Sequence, residues 1–192
     1  MCFSHIDADG NAVMVDVTEK AATHRRAVAA GSIRMNEEAF AAVRDKTARK
    51  GDVLGVAQVA GIMATKETSR LIPLCHGLGL TASGLKFFLH PESSEIEAVC
   101  TVQCDGKTGV EMEALTGVTV ALLTIYDMCK AIDKRMVLGD IHLVEKEGGK
   151  SGRFLFSGGP FVSCEADSLF SLNGITAAFR TVRRRPSGIR IR

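Results

Sequence analysis

The fold of this 192-residue chain is decided by residues 107–134, which read KTGVEMEALTGVTVALLTIYDMCKAIDK. Apolar side chains recur there at intervals of three and four residues, the spacing of one helix face. They are Leu115, Val118, Leu122, Ile125, Cys129 and Ile132. Most residues between them are also apolar, and a helix that is apolar on nearly every side is buried on several sides. The stretch therefore predicts a central core helix from about residue 114 onward.

Four charged residues in this stretch are candidates for chemistry. Asp127 and Lys130 are one helical turn apart and share a side of the helix, so we expect them in a crevice. Glu111 and Glu113 precede the helix, and if residues 110–113 are extended, both carboxylates point to one face. Charges in a buried element are costly for structure alone. Two structural alternatives remain: an ion pair between Asp127 and Lys130, and glutamates favoured near a helix N-terminus.

Regular elements are predicted on both sides of the central helix. The patterns indicate a strand at 25–35, a short helix at 37–47 capped by Asn36, a longer helix at 53–71 capped by Asp52, a hairpin at 85–89 and 96–104, and a last strand at 141–146. This order is the split β-α-β arrangement of ferredoxin-like domains. We predict an α+β fold, βαββαβ, with an antiparallel sheet and both helices on one face. The fold alone argues for no function.

The chain divides into three parts by composition. Residues 1–22 are predicted to be an arm with one docked segment, residues 23–157 the folded domain, and residues 158–192 a poorly ordered tail. From residue 161 to the end there are six arginines and only two acidic residues. Without interleaved aromatic residues this run is weak support for nucleic-acid binding, and the whole chain carries a net charge of only +2. We therefore expect no nucleic-acid or membrane partner.

Cysteine usage and hydropathy suggest a cytoplasmic protein. The six cysteines include no CxxC pair, which favours reduced thiols. No apolar run reaches the length of a membrane span, and the first residues do not resemble a signal peptide. Cys75 and His76 are adjacent rather than spaced as ligands, and Cys100 and Cys104 share one strand face, so no metal site is predicted.

Two Gly-Lys-Thr/Ser triplets, at 106–108 and 149–151, are reminiscent of phosphate-binding loops. The nucleotide-binding loop requires a glycine five residues before the Gly-Lys pair. Thr101 and Val144 occupy those positions, so both triplets fail. A contact to phosphate from Lys107 or Lys150 stays open, beside the alternative of solvated turn lysines.

Eight segments together resemble one family, the MoaC family of molybdenum-cofactor biosynthesis, the cyclic pyranopterin monophosphate synthases. They are residues 14–17 (MVDV), 23–27 (THRRA), 50–52 (KGD) with 59–61 (VAG), 71–76 (LIPLCH), 107–116 (KTGVEMEALT), 123–131 (LTIYDMCKA) and 146–152 (KEGGKSG). They fall within residues 5–154, about four-fifths of the chain.

The resemblance implies a reaction and an assembly. The family converts a cyclised dihydro-GTP, made by its radical-SAM partner, into cyclic pyranopterin monophosphate and pyrophosphate. It implies a homohexamer, a trimer of dimers, with active sites shared between neighbouring subunits. We predict no cofactor. A non-catalytic ferredoxin-like module that senses a nucleotide or pterin is the alternative, since such a module needs phosphate-binding lysines without a buried acid and base.

The resemblance also implies residue roles. Asp127 matches the catalytic acid/base, and Lys50, Lys130 and Lys146 match lysines that serve proton transfer and the triphosphate. The substrate-binding segments match Leu74, Cys75 and His76 and, in the central stretch, Met112 and Glu113; Glu111 and Arg25 lie beside them. We expect Lys50, Lys146 and Arg25 to anchor the triphosphate, and the carboxylates, Lys130 and His76 to move protons. One departure is Gly77, which follows His76 where the family commonly has proline.

Overall fold

The structure, a computed structural model, describes residues 5–7 and 9–157 together with the backbone of Ala178–Phe179. The predicted tail at 158–192 therefore lies outside the described residues except for that short strand. Within the described part the elements are β1 (Thr23–Arg34), α1 (Glu37–Arg44), α2 (Val53–Leu71), β2 (Leu80–His90), β3 (Glu95–Gly106), α3 (Glu111–Cys129), β4 (Val137–Glu147), β5 (Phe154–Leu155) and β6 (Ala178–Phe179).

The sheet has the strand order β5-β4-β1-β3-β2-β6. β1 pairs antiparallel with both β3 and β4, and β2 pairs antiparallel with β3. The two short strands add to the edges, β5 antiparallel to β4 and β6 parallel to β2. The four long strands have the ferredoxin-like arrangement, so the predicted α+β fold is confirmed, with α1 preceding α2 in the first crossover.

Alternation along the strands shows which sheet face the helices cover. Ala27 and Ala29 of β1 belong to the main core with α2 and α3, whereas Val28 and Ala30 belong to a smaller cluster on the other face. Because successive strand residues point to opposite faces, both long helices lie on one face, as predicted.

Helix starts follow the capping residues that the sequence indicates. Asn36 Oδ1 accepts a hydrogen bond from the Ala39 amide at 2.8 Å, and Asp52 Oδ1 accepts one from the Gly55 amide at 3.0 Å. Both satisfy amides that a helix N-terminus leaves without a partner. The predicted span of the longer helix, 53–71, is confirmed.

α2 and α3 approach each other closely where two glycines face. A Cβ on Gly61 would lie 2.8 Å from the Gly117 carbonyl oxygen, and one on Gly117 would lie 2.8 Å from Thr65 Cγ2. α3 thus packs closely against α2 as well as against the sheet. By length and composition α3 could cross a membrane, but more than half of its most apolar part is buried in the fold, as in the core helix of many proteins.

Two local expectations are wrong. Residues 110–113 are not extended, because α3 begins at Glu111; negative charges in a first turn are favoured by the helix dipole. The short helix ends at Arg44 rather than at residue 47. Of the six cysteines, Cys75, Cys100, Cys104 and Cys129 are free thiols, while Cys2 and Cys164 lie outside the described residues.

Candidate active site

One group of charged side chains lies at the C-terminal end of α3. Lys50 Nζ is 3.0 Å from Asp127 Oδ2 and donates to the Asp127 carbonyl oxygen at 2.8 Å, and Lys130 Nζ is 2.7 Å from Asp127 Oδ1. We name Lys50, Asp127 and Lys130 the aspartate cluster. Hydrogen bonds from Lys130 and then Lys50 lower the pKa of Asp127, and Asp127 in turn raises the pKa of Lys130.

The aspartate cluster is exposed in a single protomer, so the expected crevice is wrong for one copy of the chain. The side chains of Asp127 and Lys130 are 58% and 52% exposed. Leu123, one turn earlier on the same helix side, is 56% exposed. Because Leu123 is apolar, the sequence pattern indicates a helix that is buried on this side too. In the described part of one protomer, however, nothing covers Leu123.

A second group lies at the N-terminal end of α3. Lys146 Nζ is 3.9 Å from Glu111 Oε1 and contacts Ser151 Oγ. Arg25 Nε donates to the Gly106 carbonyl oxygen at 3.2 Å, on the chain that leads into α3. We name Arg25, Glu111, Glu113 and Lys146 the glutamate cluster.

Glu113 is the buried acid of the glutamate cluster. It is only 4% exposed. Burial raises its pKa to about 6, a backbone hydrogen bond opposes the change, and the charge of Glu111 adds to it. A carboxyl group that titrates near neutral pH can both give and take a proton. The sequence predicted both glutamates as candidates but not this difference in burial, which depends on where α3 begins.

The Cys75–His76 segment lies at the same end as Glu113. Burial and, secondly, the Glu113 charge raise the pKa of Cys75, which keeps it a thiol rather than a nucleophilic thiolate. His76 is half-buried, and its Nε2 lies 2.9 Å from the Val15 carbonyl oxygen. Gly77 does not need to be glycine: a Cβ there would meet only Ser69 Oγ, at 3.8 Å, and its φ is not left-handed.

A glycine turn packs against Arg25. Gly148 and Gly149 have φ values of +94° and +77°, which L side chains rarely adopt. A Cβ on Gly149 would overlap the Arg25 guanidinium, and one on Gly148 would overlap the His24 carbonyl oxygen. The turn therefore holds Arg25 in place for reasons of space as well as conformation. Sequence reasoning assigned this motif by resemblance only.

The two clusters do not meet within one protomer. Glu111 and Asp127 are sixteen residues apart on one continuous helix, which at 1.5 Å per residue is about 24 Å. The structure brings Lys50 and Lys130 to Asp127, and brings Lys146 to Glu111. Arg25 and both glutamates lie close enough to Cys104 for their charges to affect its pKa. Of the substrate-binding candidates, Met112 is exposed beside Glu113, and Leu74 is half-buried beside Cys75. Within the described residues, no group of three or more metal-ligating side chains is placed to hold an ion.

The family model for the MoaC family matches residues 14–149. The chain belongs to the MoaC family. The match includes every residue of the two clusters and the Cys75–His76 segment, and it confirms the resemblance drawn from the motifs.

Three curated relatives that share this similarity have the name "Cyclic pyranopterin monophosphate synthase". The Clostridium botulinum (strain Alaska E43 / Type E3) protein is 59% identical over 153 residues, which is 80% of this chain and 96% of the relative. The Thermoanaerobacter pseudethanolicus (strain ATCC 33223 / 39E) protein is 56% identical over 154 residues, 80% of this chain and 98% of the relative. The Heliobacterium modesticaldum (strain ATCC 51547 / Ice1) protein is 58% identical over 152 residues, 79% and 96% of the two chains.

Proposed function

We propose that this chain is a cyclic pyranopterin monophosphate synthase of molybdenum cofactor biosynthesis. It converts cyclised dihydro-GTP to cyclic pyranopterin monophosphate with release of pyrophosphate, which makes it a phosphorus–oxygen lyase. We propose that it acts in the cytoplasm. A radical-SAM GTP cyclase supplies the substrate. The family match and the shared name of relatives at 56–59% identity support this function.

The aspartate cluster is the observation that carries the proposal. A carboxylate held between two ammonium groups, at 3.0 and 2.7 Å, is ionised at rest and can accept a proton in the reaction. Both lysines remain half-exposed and can turn toward a polyanionic substrate. A pterin or nucleotide sensor needs no such acid–base pair, so the sensor alternative is not favoured.

The glutamate cluster supplies the complementary chemistry. Arg25 and Lys146 present positive charge that neutralises a triphosphate and stabilises departing pyrophosphate. In the cyclisation step, a substrate hydroxyl loses a proton, its oxygen bonds to the α-phosphorus, and the bond from that phosphorus to the pyrophosphate oxygen breaks. Glu113, with its raised pKa, is suited to proton transfer in opening and closing the ring.

A complete site needs two copies of the chain. Because α3 holds the clusters about 24 Å apart, a neighbouring α3 running the opposite way would bring one copy's aspartate cluster to the other's glutamate cluster. A two-fold axis generates two such sites at once. We propose that this dimer is the unit of a hexameric trimer of dimers.

Exposed apolar residues on the two long helices suit such a contact. Val56, Val59 and Met63 of α2 lie within two turns of each other and are exposed, as is Leu123 of α3. Large exposed apolar patches on globular proteins commonly mark interaction sites. Leu123 shares its helix side with Asp127, so covering it also encloses the aspartate cluster.

The function is tested by incubating the purified full-length chain with cyclised dihydro-GTP. The expected result is equimolar pyrophosphate and a product with the mass of cyclic pyranopterin monophosphate. Substrate that binds and is recovered unchanged would contradict an enzyme and support the sensor. A mass measurement of the native assembly, made on the same sample, tests the hexamer separately.

A further inference from the structure

The N-terminal arm, defined here as residues 13–20, contacts a residue of the candidate site through its backbone. The Val15 carbonyl oxygen lies 2.9 Å from His76 Nε2. The two residues are far apart in the chain, at a sequence separation of sixty-one. We propose that the arm is a positioning element: it fixes neutral His76 in the tautomer that carries its proton on Nε2 and leaves Nδ1 free to accept one.

The chemistry of the carbonyl decides the tautomer. A backbone carbonyl oxygen can only accept a hydrogen bond, so the imidazole nitrogen facing it must be the donor. In neutral histidine one ring nitrogen carries the proton and the other bears the lone pair. With Nε2 protonated, Nδ1 is the basic nitrogen. In the described part of the chain the ring makes no second hydrogen bond that would favour the opposite arrangement.

A second contact holds the arm in place. Lys107 Nζ donates to the Thr18 carbonyl oxygen at 2.7 Å, three residues after Val15. Within the arm, Asp16 Oδ1 accepts from the Thr18 amide at 2.8 Å, which fixes the local turn. Val15 and Val17 are half-buried while Met14, Asp16 and Thr18 are exposed. The arm therefore has a defined inward side, and its carbonyl reaches His76 in a fixed register.

The catalytic consequence rests on the proposed function. If His76 accepts a proton from the substrate, the arm determines which nitrogen does so and orients the ring for it. Lys107 then acts on the reaction through the arm rather than by touching phosphate. This accounts for the presence of Lys107 and of the 14–17 segment among the motifs, although neither belongs to the two clusters.

The tautomer is tested by nitrogen-15 NMR of the His76 ring in neutral form, without substrate. Three proteins are compared: the full chain, a matched control that begins at Val13 and keeps the arm, and a chain that begins at Ala21 and lacks it. We expect the Nε2-protonated form in the first two and a mixture of both tautomers in the third. An Nδ1-protonated ring in the full chain, or no change on removing the arm, would overturn the proposal.

Activity separates positioning from folding. In the chain that begins at Ala21 we expect kcat to fall by at least about tenfold, up to the roughly 10²–10⁴-fold that a general acid–base group contributes, with KM little changed. Should that chain fail to fold, Lys107→Met in the full chain loosens the arm instead and is expected to shift the tautomer ratio in the same direction. Unchanged ratios there would also overturn the proposal.

Because the NMR readout needs no turnover, an inactive full chain would contradict the proposed function and leave the tautomer result standing.

Discussion

The two ends of α3 carry acids in opposite environments. Asp127 at the C-terminal end is exposed between two lysines, which lower its pKa. Glu113 at the N-terminal end is almost completely buried, and its pKa is raised to about 6. Pairs of carboxyl groups whose surroundings push their pKa values apart commonly divide the roles of acid and base. One helix thus supplies an acid that is ionised at rest and one that is protonatable near neutral pH.

Removing the ionised acid has the largest expected effect. Asp127→Asn keeps the shape of the side chain but cannot carry a charge or exchange a proton with Lys130. We expect a loss of about 10²–10⁴-fold in kcat, measured as pyrophosphate release. The assembly should persist, because asparagine has the same size as aspartate and the exposed apolar residues of α2 and α3 are unchanged.

Asp45→Asn is the matched control for that variant. Asp45 also forms an exposed ion pair, with Arg44 Nε at 2.7 Å from its Oδ1, but lies outside both clusters. Its loss should leave kcat unchanged. Full activity in Asp127→Asn would remove the aspartate cluster from the reaction.

Mixing two inactive variants tests whether the ends of different copies meet. Asp127→Asn damages one end and Lys146→Met the other. If each site uses both ends from two copies, co-refolded mixtures regain about a quarter of wild-type activity, because half of the dimers are mixed and each restores one of two sites. Activity that stays at the level of the separate variants would show that the ends do not cooperate.

The middle of α3 is fixed by its contact with α2. Gly61→Ala places a methyl group within 2.8 Å of the Gly117 carbonyl oxygen and 2.7 Å of Leu85 Cδ1. We expect the free energy of unfolding to fall by about 1–3 kcal/mol from overpacking, measured by denaturant unfolding. Gly139→Ala is the control, since nothing lies within 4 Å of its added Cβ; an equal loss there would argue against the steric explanation.

The buried acid gives the smallest effect, and one that depends on pH. The pKa of Glu113 is raised from 4.5 to about 6 on folding. The folded chain then binds more protons than the unfolded one in that interval, so its free energy of unfolding falls as pH rises from about 4.5 to about 6. Glu113→Gln cannot titrate. The free energy of unfolding of Glu113→Gln minus that of wild type should therefore rise by about 2 kcal/mol from pH 4 to pH 7.

Unfolding of both proteins at a series of pH values, at one protein concentration, measures that difference. A difference that does not change with pH would mean that ionising Glu113 does not destabilise the folded chain. The contrast between the two ends of α3 would then lose its electrostatic basis.

The order of elements could be predicted from the sequence because each element is indicated by residues close together in the chain. Caps at Asn36 and Asp52, alternation in the hairpin strands and the helical spacing from Leu115 onward each depend on neighbouring residues. The start of α3 was missed, since Glu111 and Glu113 fit either an alternating strand or a favourable first turn. That error hid the burial of Glu113.

Long-range placement could not be predicted from the residues alone. The meeting of Lys50 with Asp127 came only from the family resemblance, because seventy-seven positions separate the two residues. The arm's contact with His76 was missed altogether: a backbone carbonyl leaves no mark on the side-chain pattern. Exposure of the aspartate cluster was also missed, since an apolar residue such as Leu123 looks the same in a sequence whether a core or a neighbouring chain covers it.

A single unbroken helix between the two clusters sets the tolerance of this protein to length changes. One residue inserted into α3 would rotate everything beyond it by about 100° and advance it by about 1.5 Å. Asp127 would then point away from Lys50, and both sites of a symmetric pair would be lost together. Loops elsewhere are not under this constraint, whereas the length of α3 sets both the distance and the relative orientation of the two clusters.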